Sequence, residues 1–224
     1  ARPDKIEAVV IVTPNHLHVP IAKAFLEARI HVICDKPLAA TSEQAQLIDA
    51  AVRASKAHFI LTHNYTGYPV IRQARKLVEN GELGEIRVIQ AEYAQDWLSE
   101  AADNKQADWR VNPEKSGAGA IGDIGTHALN LASFVSGLQP QALCADLHSF
   151  VDGRRVDDNA HIMLRFEKGA KGMLWASQVA VGCENTLTIR IYGEKAGLEW
   201  QQENPNQLSF TRFGQAKQLL TRGG

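Results

Sequence analysis

The chain has 224 residues, 45% of them hydrophobic and 22% charged, a balance that suits a globular protein with a buried core. With 24 basic against 25 acidic residues and no long run of one sign, it lacks the electrostatic footprint of a nucleic-acid or anionic-membrane partner. Its apolar runs are too short to span a bilayer, and its three cysteines (Cys34, Cys144 and Cys183), without metal or redox spacing, read as buried, reduced thiols of a cytoplasmic protein.

Residues 8–12 are a continuous apolar run, the pattern of a parallel strand buried on both faces. Thr13-Pro14-Asn15 ends it, and apolar residues then recur at helical spacing over 16–28. Residues 30–34 form a second such strand, stopped by Asp35-Lys36-Pro37. Thr41 or Ser42 caps a helix that turns Leu47, Ile48, Ala51 and Val52 to the core. Residues 58–62 are a third strand. This alternation is half of a doubly wound α/β sheet. Such a fold opens with a strand and a glycine-rich turn, and neither precedes residue 8. Ala1-Arg2-Pro3-Asp4 shows no initiator methionine and no signal-peptide apolar region. The chain is therefore expected to begin inside an incomplete Rossmann domain that runs to residue 64.

A helix over 68–79 ends at Asn80-Gly81, a good C-cap pair. Residues 86–93 form a strand, and a polar, irregular stretch follows over 99–120. An amphipathic helix is expected from Asp123 to Ser136, ending at Gly137. Short β-rich segments then recur at 142–150, 159–166, 171–180, 186–193 and 196–201, with a hairpin at Glu167-Lys168-Gly169. Residues 65–224 thus read as an α+β domain built on a large, mostly antiparallel open sheet. Met173, Leu174, Trp175, Val179 and Val181 supply either an apolar surface patch or part of its core.

The run Gly117-Ala118-Gly119-Ala120-Ile121-Gly122 spells the dinucleotide glycine fingerprint, but it follows a polar loop rather than a buried strand and opens no βαβ unit. It reads instead as a flexible loop where backbone comes close to a ligand or a neighbouring strand.

Two groups of residues point to chemistry. Asp123 and His127, four apart at a helix start, put an acid and an imidazole on one face, a common way to orient and tune a proton carrier. Lys36 follows the carboxyl end of a parallel strand, where open α/β sheets take their ligands.

Taken together, Thr-Pro-Asn-x-x-His at 13–18, Asp-Lys-Pro at 35–37, Trp109-Arg110, Asp-x-Gly-x-His at 123–127 and the stretch from Leu77 to Ile86 resemble one family closely. It is the glucose-fructose oxidoreductase / inositol dehydrogenase / rhizopine catabolism (Gfo/Idh/MocA) family, and the resemblance runs through the whole chain. It implies hydride transfer between a secondary alcohol of a sugar or polyol and NAD or NADP. It makes Lys36, Asp123 and His127 the catalytic set; His127 is read as the base, with Asp123 orienting it and Lys36 donating to the substrate oxygen, and which of Lys36 and His127 takes the proton first stays open at this point. It lays Thr13, Pro14, Asn15 and His18 along the cofactor, which Lys36 also touches. Asp35 then sits near the nicotinamide ribose, Asn64 in the nicotinamide pocket, and Trp109 and Arg110 around the nicotinamide end.

Two positions depart from the family pattern. Asp35 stands where a glutamate is usual, one methylene longer, and Arg29 stands where a glycine commonly ends the helix. The resemblance further implies a homodimer or homotetramer paired through the antiparallel sheet, and the stretch 96–120 is expected to cap the substrate. Two other readings stay open: an NAD-dependent glycosidase of the same fold, and a regulator that binds sugar or nucleotide without turnover. No metal is expected.

Overall fold

The computed structural model describes residues 6–101 and 104–223; the opening Ala1-Arg2-Pro3-Asp4 and part of the polar stretch 99–120 lie outside them. Strands β1 (Ala8–Ile11), β2 (His31–Cys34) and β3 (Phe59–Leu61) form a parallel sheet in that order. Helices α1 (His18–Glu27) and α2 (Ser42–Ala54) link them and pack on one face. Val19, Leu26 and Ile48 meet Ile11, Val32 and Cys34 there in a first core. Thr41 caps α2, its hydroxyl accepting from the Gln44 amide.

In this chain the helices cover one face of the sheet. Alternate residues turn Val10 and Ile60 away from the helices, leaving them 62% and 54% exposed.

The second body is larger. Helix α3 (Pro69–Glu79) opens on a proline, whose missing N–H costs nothing at that position, and ends at Asn80 with Gly81 at φ 75°. Strand β4 (Ile86–Ala94) follows. The stretch expected to be irregular holds two short helices, α4 (Lys105–Arg110) and α5 (Pro113–Ser116). Their caps are Asn104 and Asn112, whose side-chain oxygens accept from the Gln106 and Ala107 amides and from the Glu114 amide. Helices this short carry no apolar periodicity, so capping was their only signal. A π-turn at Ile121–Gly125 leads into α6 (Thr126–Ser136), which ends at Gly137 in the left-handed region.

Strands β5 (Pro140–His148), β6 (Asn159–Phe166), β7 (Lys171–Ser177), β8 (Thr186–Gly193), β9 (Ala196–Gln201), β10 (Gln207–Arg212) and β11 (Gln218–Thr221) join β4 in one sheet. Its order is β11-β10-β9-β8-β4-β7-β6-β5, with β4 and β7 parallel and the other pairs antiparallel. The expected architecture is present; β10 and β11 were not anticipated, although Leu208 and Phe210 alternate into the core. Helix α6 covers β4 and β8, and α3 packs on α6. The opposite face is open: Met163 and Met173, partners across β6 and β7, are 63% and 53% exposed there, while Leu174, the next residue along β7, points to the core. The suggested patch is thus split by strand alternation, Met173 and Trp175 falling on the open face.

The same alternation corrects the cysteines. Cys34 is buried, its thiol pushed up to about 11 by burial and by Asp35. Cys144 pairs across from Met163 on the open face and is exposed, and Cys183 is half-buried. Arg29 adopts φ 59°, the conformation a glycine would take without strain. No helix among the described residues is long and apolar enough to cross a membrane.

The glycine run is pinned rather than flexible. The Asp157 carboxylate accepts from the Gly119 and Ile121 amides at 2.9 and 2.7 Å, so these donors are spent on the chain's own aspartate. A Cβ on Gly119 would lie 1.7 Å from the Asp157 carbonyl oxygen, and one on Gly117 2.1 Å from that of Ala40. The backbone does come close to neighbouring segments, but they belong to two loops rather than to a strand. Gly119→Ala should therefore destabilise the fold by about 2 kcal/mol, the middle of the range for overpacking. Gly67→Ala, with open space around it, should change stability by less than about 0.5 kcal/mol. Urea unfolding midpoints of the two variants check the pair.

Candidate active site

The site forms where the two bodies meet. At the end of β2 the Asp35 carboxylate accepts from the Lys36 amide at 2.9 Å and from the Thr62 hydroxyl at 2.7 Å. That brace fixes the turn from which Lys36 leaves the sheet. Its Nζ donates to Asp123 Oδ1 at 2.8 Å and to the Asp123 carbonyl oxygen at 2.6 Å. Asp123 Oδ2 accepts from Arg110 Nε at 3.2 Å and Gln178 Nε2 at 2.9 Å. Burial alone would raise the Asp123 carboxyl, but the Lys36 and Arg110 charges outweigh it and hold it below the usual carboxylate range.

Asp123 does not hydrogen-bond His127 as the four-residue spacing suggested. The π-turn widens the helix at Asp123, and both carboxylate oxygens are taken by Lys36, Arg110 and Gln178. His127 packs edge-on against Tyr65 and His63, with ring centroids 4.8 and 5.7 Å away. Its Nδ1 is buried without a hydrogen-bond partner. Burial, then Lys36, then His63 push its pKa down to about 3, so the imidazole is neutral at ordinary pH.

Two cavities adjoin at the shared wall of Lys36, Gln106, Arg110 and Asp123. One, of about 430 Å³, is completed by Tyr65, Tyr93, Gln95, Trp97, Ile124 and His127. The other, of about 310 Å³, lies at the carboxyl ends of β1 and β2 and is completed by Val12, Thr13, Pro14, Asn15, Asp35, Lys105 and Trp109. The Thr13 hydroxyl is buried there without a partner. The Arg110 guanidinium stacks over the Trp109 ring at 4.2 Å. An orphaned hydroxyl, a carboxylate and a flat cationic-aromatic wall fit the amide and ribose of a nicotinamide nucleotide.

Asn15 and His18 act as braces. Asn15 Nδ2 donates to the Ser116 carbonyl at 2.9 Å, tying the first body to α5. His18 is buried between the Thr13 and Pro37 carbonyls, at 2.8 and 2.9 Å. Asn64 is exposed and lines neither cavity. The structure thus gathers Lys36, Asp123, His127, Asp35, Thr13, Pro14, Asn15, Trp109 and Arg110, backs the loops with His18, and leaves Asn64 outside. Sequence reading missed His63, Tyr65, Tyr93, Gln95, Trp97 and Gln178. The alternation Tyr93, Gln95, Trp97 running off the end of β4 was a usable signal for three of them. Among the described residues no group of three or more His, Cys, Asp and Glu is placed to hold a metal ion.

Two family models match the chain in tandem. Residues 1–65 match "Oxidoreductase family, NAD-binding Rossmann fold", and residues 71–199 match the "GFO/IDH/MocA C-terminal domain". Levoglucosan dehydrogenase of Pseudarthrobacter phenanthrenivorans is 33% identical over 91% of this chain and 57% of its own length. A crystal structure of an oxidoreductase from Sinorhizobium meliloti superposes with a TM-score of 0.91 at 54% identity, over 100% of this chain and 59% of that one. An inositol dehydrogenase homologue from Azotobacter vinelandii, complexed with NADH and myo-inositol, gives 0.93 at 39% identity over 100% and 58%. The chain therefore spans under two thirds of the length of these proteins. With both family models matched in order on the observed pair of sheets, the chain belongs to the GFO/IDH/MocA family of oxidoreductases.

Proposed function

We propose that the chain carries the substrate pocket and the nicotinamide end of the cofactor pocket of an NAD(P)-dependent dehydrogenase, which oxidises a secondary hydroxyl of a sugar or cyclic polyol. One observation carries this reading: the Lys36 ammonium, held by Asp123, stands on the wall common to two adjoining cavities. One cavity has the residues for a nicotinamide; the other is lined by side chains that hydrogen-bond and stack, as a hydroxylated ring requires. The relatives named for levoglucosan and for inositol act on, or are seen with, molecules of that class. Residues 1–64 then serve the cofactor and residues 65–224 the substrate, in keeping with their separate cores.

Bound nicotinamide supplies the hydride acceptor. The chain's part is to position the alcohol and manage one proton. A lysine ammonium has three N–H groups; Asp123 takes two and so aims the third at the cavities. That proton hydrogen-bonds the carbinol oxygen and stabilises negative charge as it grows. Neutral His127 accepts the hydroxyl proton. Its basicity is low, but the hydroxyl becomes strongly acidic as its carbon loses hydride, so a weak base suffices late in the step. Asp123 serves by orienting Lys36 rather than His127.

The open sheet face supports self-association: Met163, Met173 and Tyr192 are exposed on it beside the Arg190–Glu92 and Arg190–Glu199 ion pairs. Met173→Glu should then lower the mass seen by analytical ultracentrifugation to that of a monomer, with the circular dichroism spectrum unchanged.

Assay of myo-inositol, levoglucosan, D-glucose and D-xylose for reduced-nicotinamide formation with NAD and with NADP tests the reaction; no turnover with any of them overturns it. Lys36→Ala should lower turnover by at least about a hundredfold, the lower end of general acid–base effects, and a near-normal rate would remove Lys36 from the mechanism. His127 makes a separate prediction for stability. Its folded pKa of about 3 lies below its ordinary 6.5. Between those values the unfolded chain binds a proton that the folded chain refuses, so stability is full above the upper value and falls as pH drops through the window. From about pH 7 to about pH 5 the wild type should lose about 2 kcal/mol more than His127→Asn, as read from urea midpoints at each pH.

A further inference from the structure

The aromatic wall of the larger cavity is the visible end of a hydrogen-bond chain whose direction is set at its far end. Trp97 Nε1 can only donate, and it donates to Gln95 Oε1 at 3.0 Å. The Gln95 amide nitrogen must then face the other way, and it donates to Asn185 Oδ1 at 2.7 Å. The same oxygen accepts from the Tyr93 hydroxyl at 2.7 Å. Asn185 Nδ2 is turned to Gln202 Oε1, at 3.4 Å. With its one proton on Asn185, the Tyr93 oxygen can only accept from Tyr65, whose hydroxyl lies 2.6 Å away. Tyr93 is buried, and burial followed by the Tyr65 bond pushes its phenol upward, so it stays a donor at working pH.

Tyr65 has thereby spent its proton and shows only lone pairs to the cavity. Elsewhere in the lining Lys36 and Arg110 can only donate, and the Asp123 oxygens beside them are already taken by Lys36, Arg110 and Gln178. We infer that Tyr65 is a specificity-determining acceptor that reads a hydroxyl donor on the ligand, and that Asn185, outside the cavity, is the positioning residue that fixes this polarity through Tyr93. A hydroxyl satisfies both, giving its hydrogen to Tyr65 and its oxygen to the cations. A carboxylate, phosphate, ether or fluorine at the same position would set acceptor against acceptor. The inference rests on the dehydrogenase reading and narrows its substrate to a ring carrying a free hydroxyl next to Tyr65, besides the one oxidised.

The test compares the fastest polyol of the four-member panel with its complete set of monodeoxyfluoro analogues, using the holoenzyme and reading kcat/KM. At one ring position away from the reacting carbon, the wild type should favour hydroxyl over fluorine by about tenfold, the worth of one hydrogen bond. Asn185→Leu frees the Tyr93 proton to turn toward Tyr65, which lets Tyr65 donate into the cavity. The preference at that position should then fall to within about threefold, and Asn185→Asp, which still accepts from Tyr93 and Gln95, should restore it. An unchanged preference in Asn185→Leu, or no rescue by Asn185→Asp, overturns the inference while leaving the dehydrogenase reading intact. No turnover of any panel member by the wild type overturns both. Should Asn185→Leu fail to fold, Tyr65→Phe decides: a preference that survives loss of the Tyr65 oxygen overturns the inference, and a flattened one upholds it.

Discussion

Lys36 and Asp123 belong to different bodies of the fold and lie 87 residues apart in the chain, yet Nζ and Oδ1 meet at 2.8 Å with each side chain only 16% exposed. Two charges taken this far out of water repay their desolvation only when the geometry is good and the remaining donors and acceptors are used. Each partner is braced accordingly. Thr62 and the Lys36 amide hold Asp35, and with it the turn that aims Lys36. Arg110 and Gln178 take the second oxygen of Asp123. The pair is what joins the two cavities into one site, because the same four residues line both.

The π-turn that presents Asp123 is itself held from outside. Asp157 accepts from the amides of Gly119 and Ile121 just ahead of it, and its neighbour Asp158 anchors the loop they share. Asp158 is fully buried, accepts from the Phe150 and Val151 amides and pairs with Arg154, whose guanidinium also donates to the Leu98 carbonyl. The glycines of the false fingerprint are therefore needed for close approach, but to Ala40 and Asp157 rather than to a phosphate. The result is a cavity with fixed polarity: two cations braced by Asp123, a row of spent phenols and amides, and a neutral imidazole packed on Tyr65. A polyol suits such a cavity because each hydroxyl is donor and acceptor at once.

Much of this architecture was legible before any coordinates. Apolar runs at 8–12 and 30–34, helical periodicity after Thr41, and the β-rich segments at 159–166 and 186–193 depend on local pattern alone, and each produced the element it implied. So did Thr41, Asn80-Gly81 and Gly137 at the helix ends. Local pattern failed where the outcome depended on a distant neighbour. Strands β10 and β11 escaped notice because they find their place only by pairing beyond β9 in the large sheet. Asparagine caps made helices of α4 and α5 inside a stretch with no apolar period.

The site divides in the same way. The family resemblance carried by the motifs, rather than spacing alone, put Lys36, Asp123, His127, Asp35 and Trp109-Arg110 in one constellation; local pattern placed Asp35 and Lys36 at a strand end and Asp123 and His127 at a helix start, while Trp109-Arg110 close a helix inside the stretch read as irregular. Which of them touch was decided only by the fold. A widened turn and two cations drew Asp123 to Lys36 and left His127 to the aromatic rings. The direction of the Trp97-to-Tyr65 chain likewise needs five side chains from three separate segments within hydrogen-bond reach. Hydrogen bonds between side chains hold over about 3 Å, and only tertiary packing brings residues as far apart as Tyr65 and Asn185 to that distance.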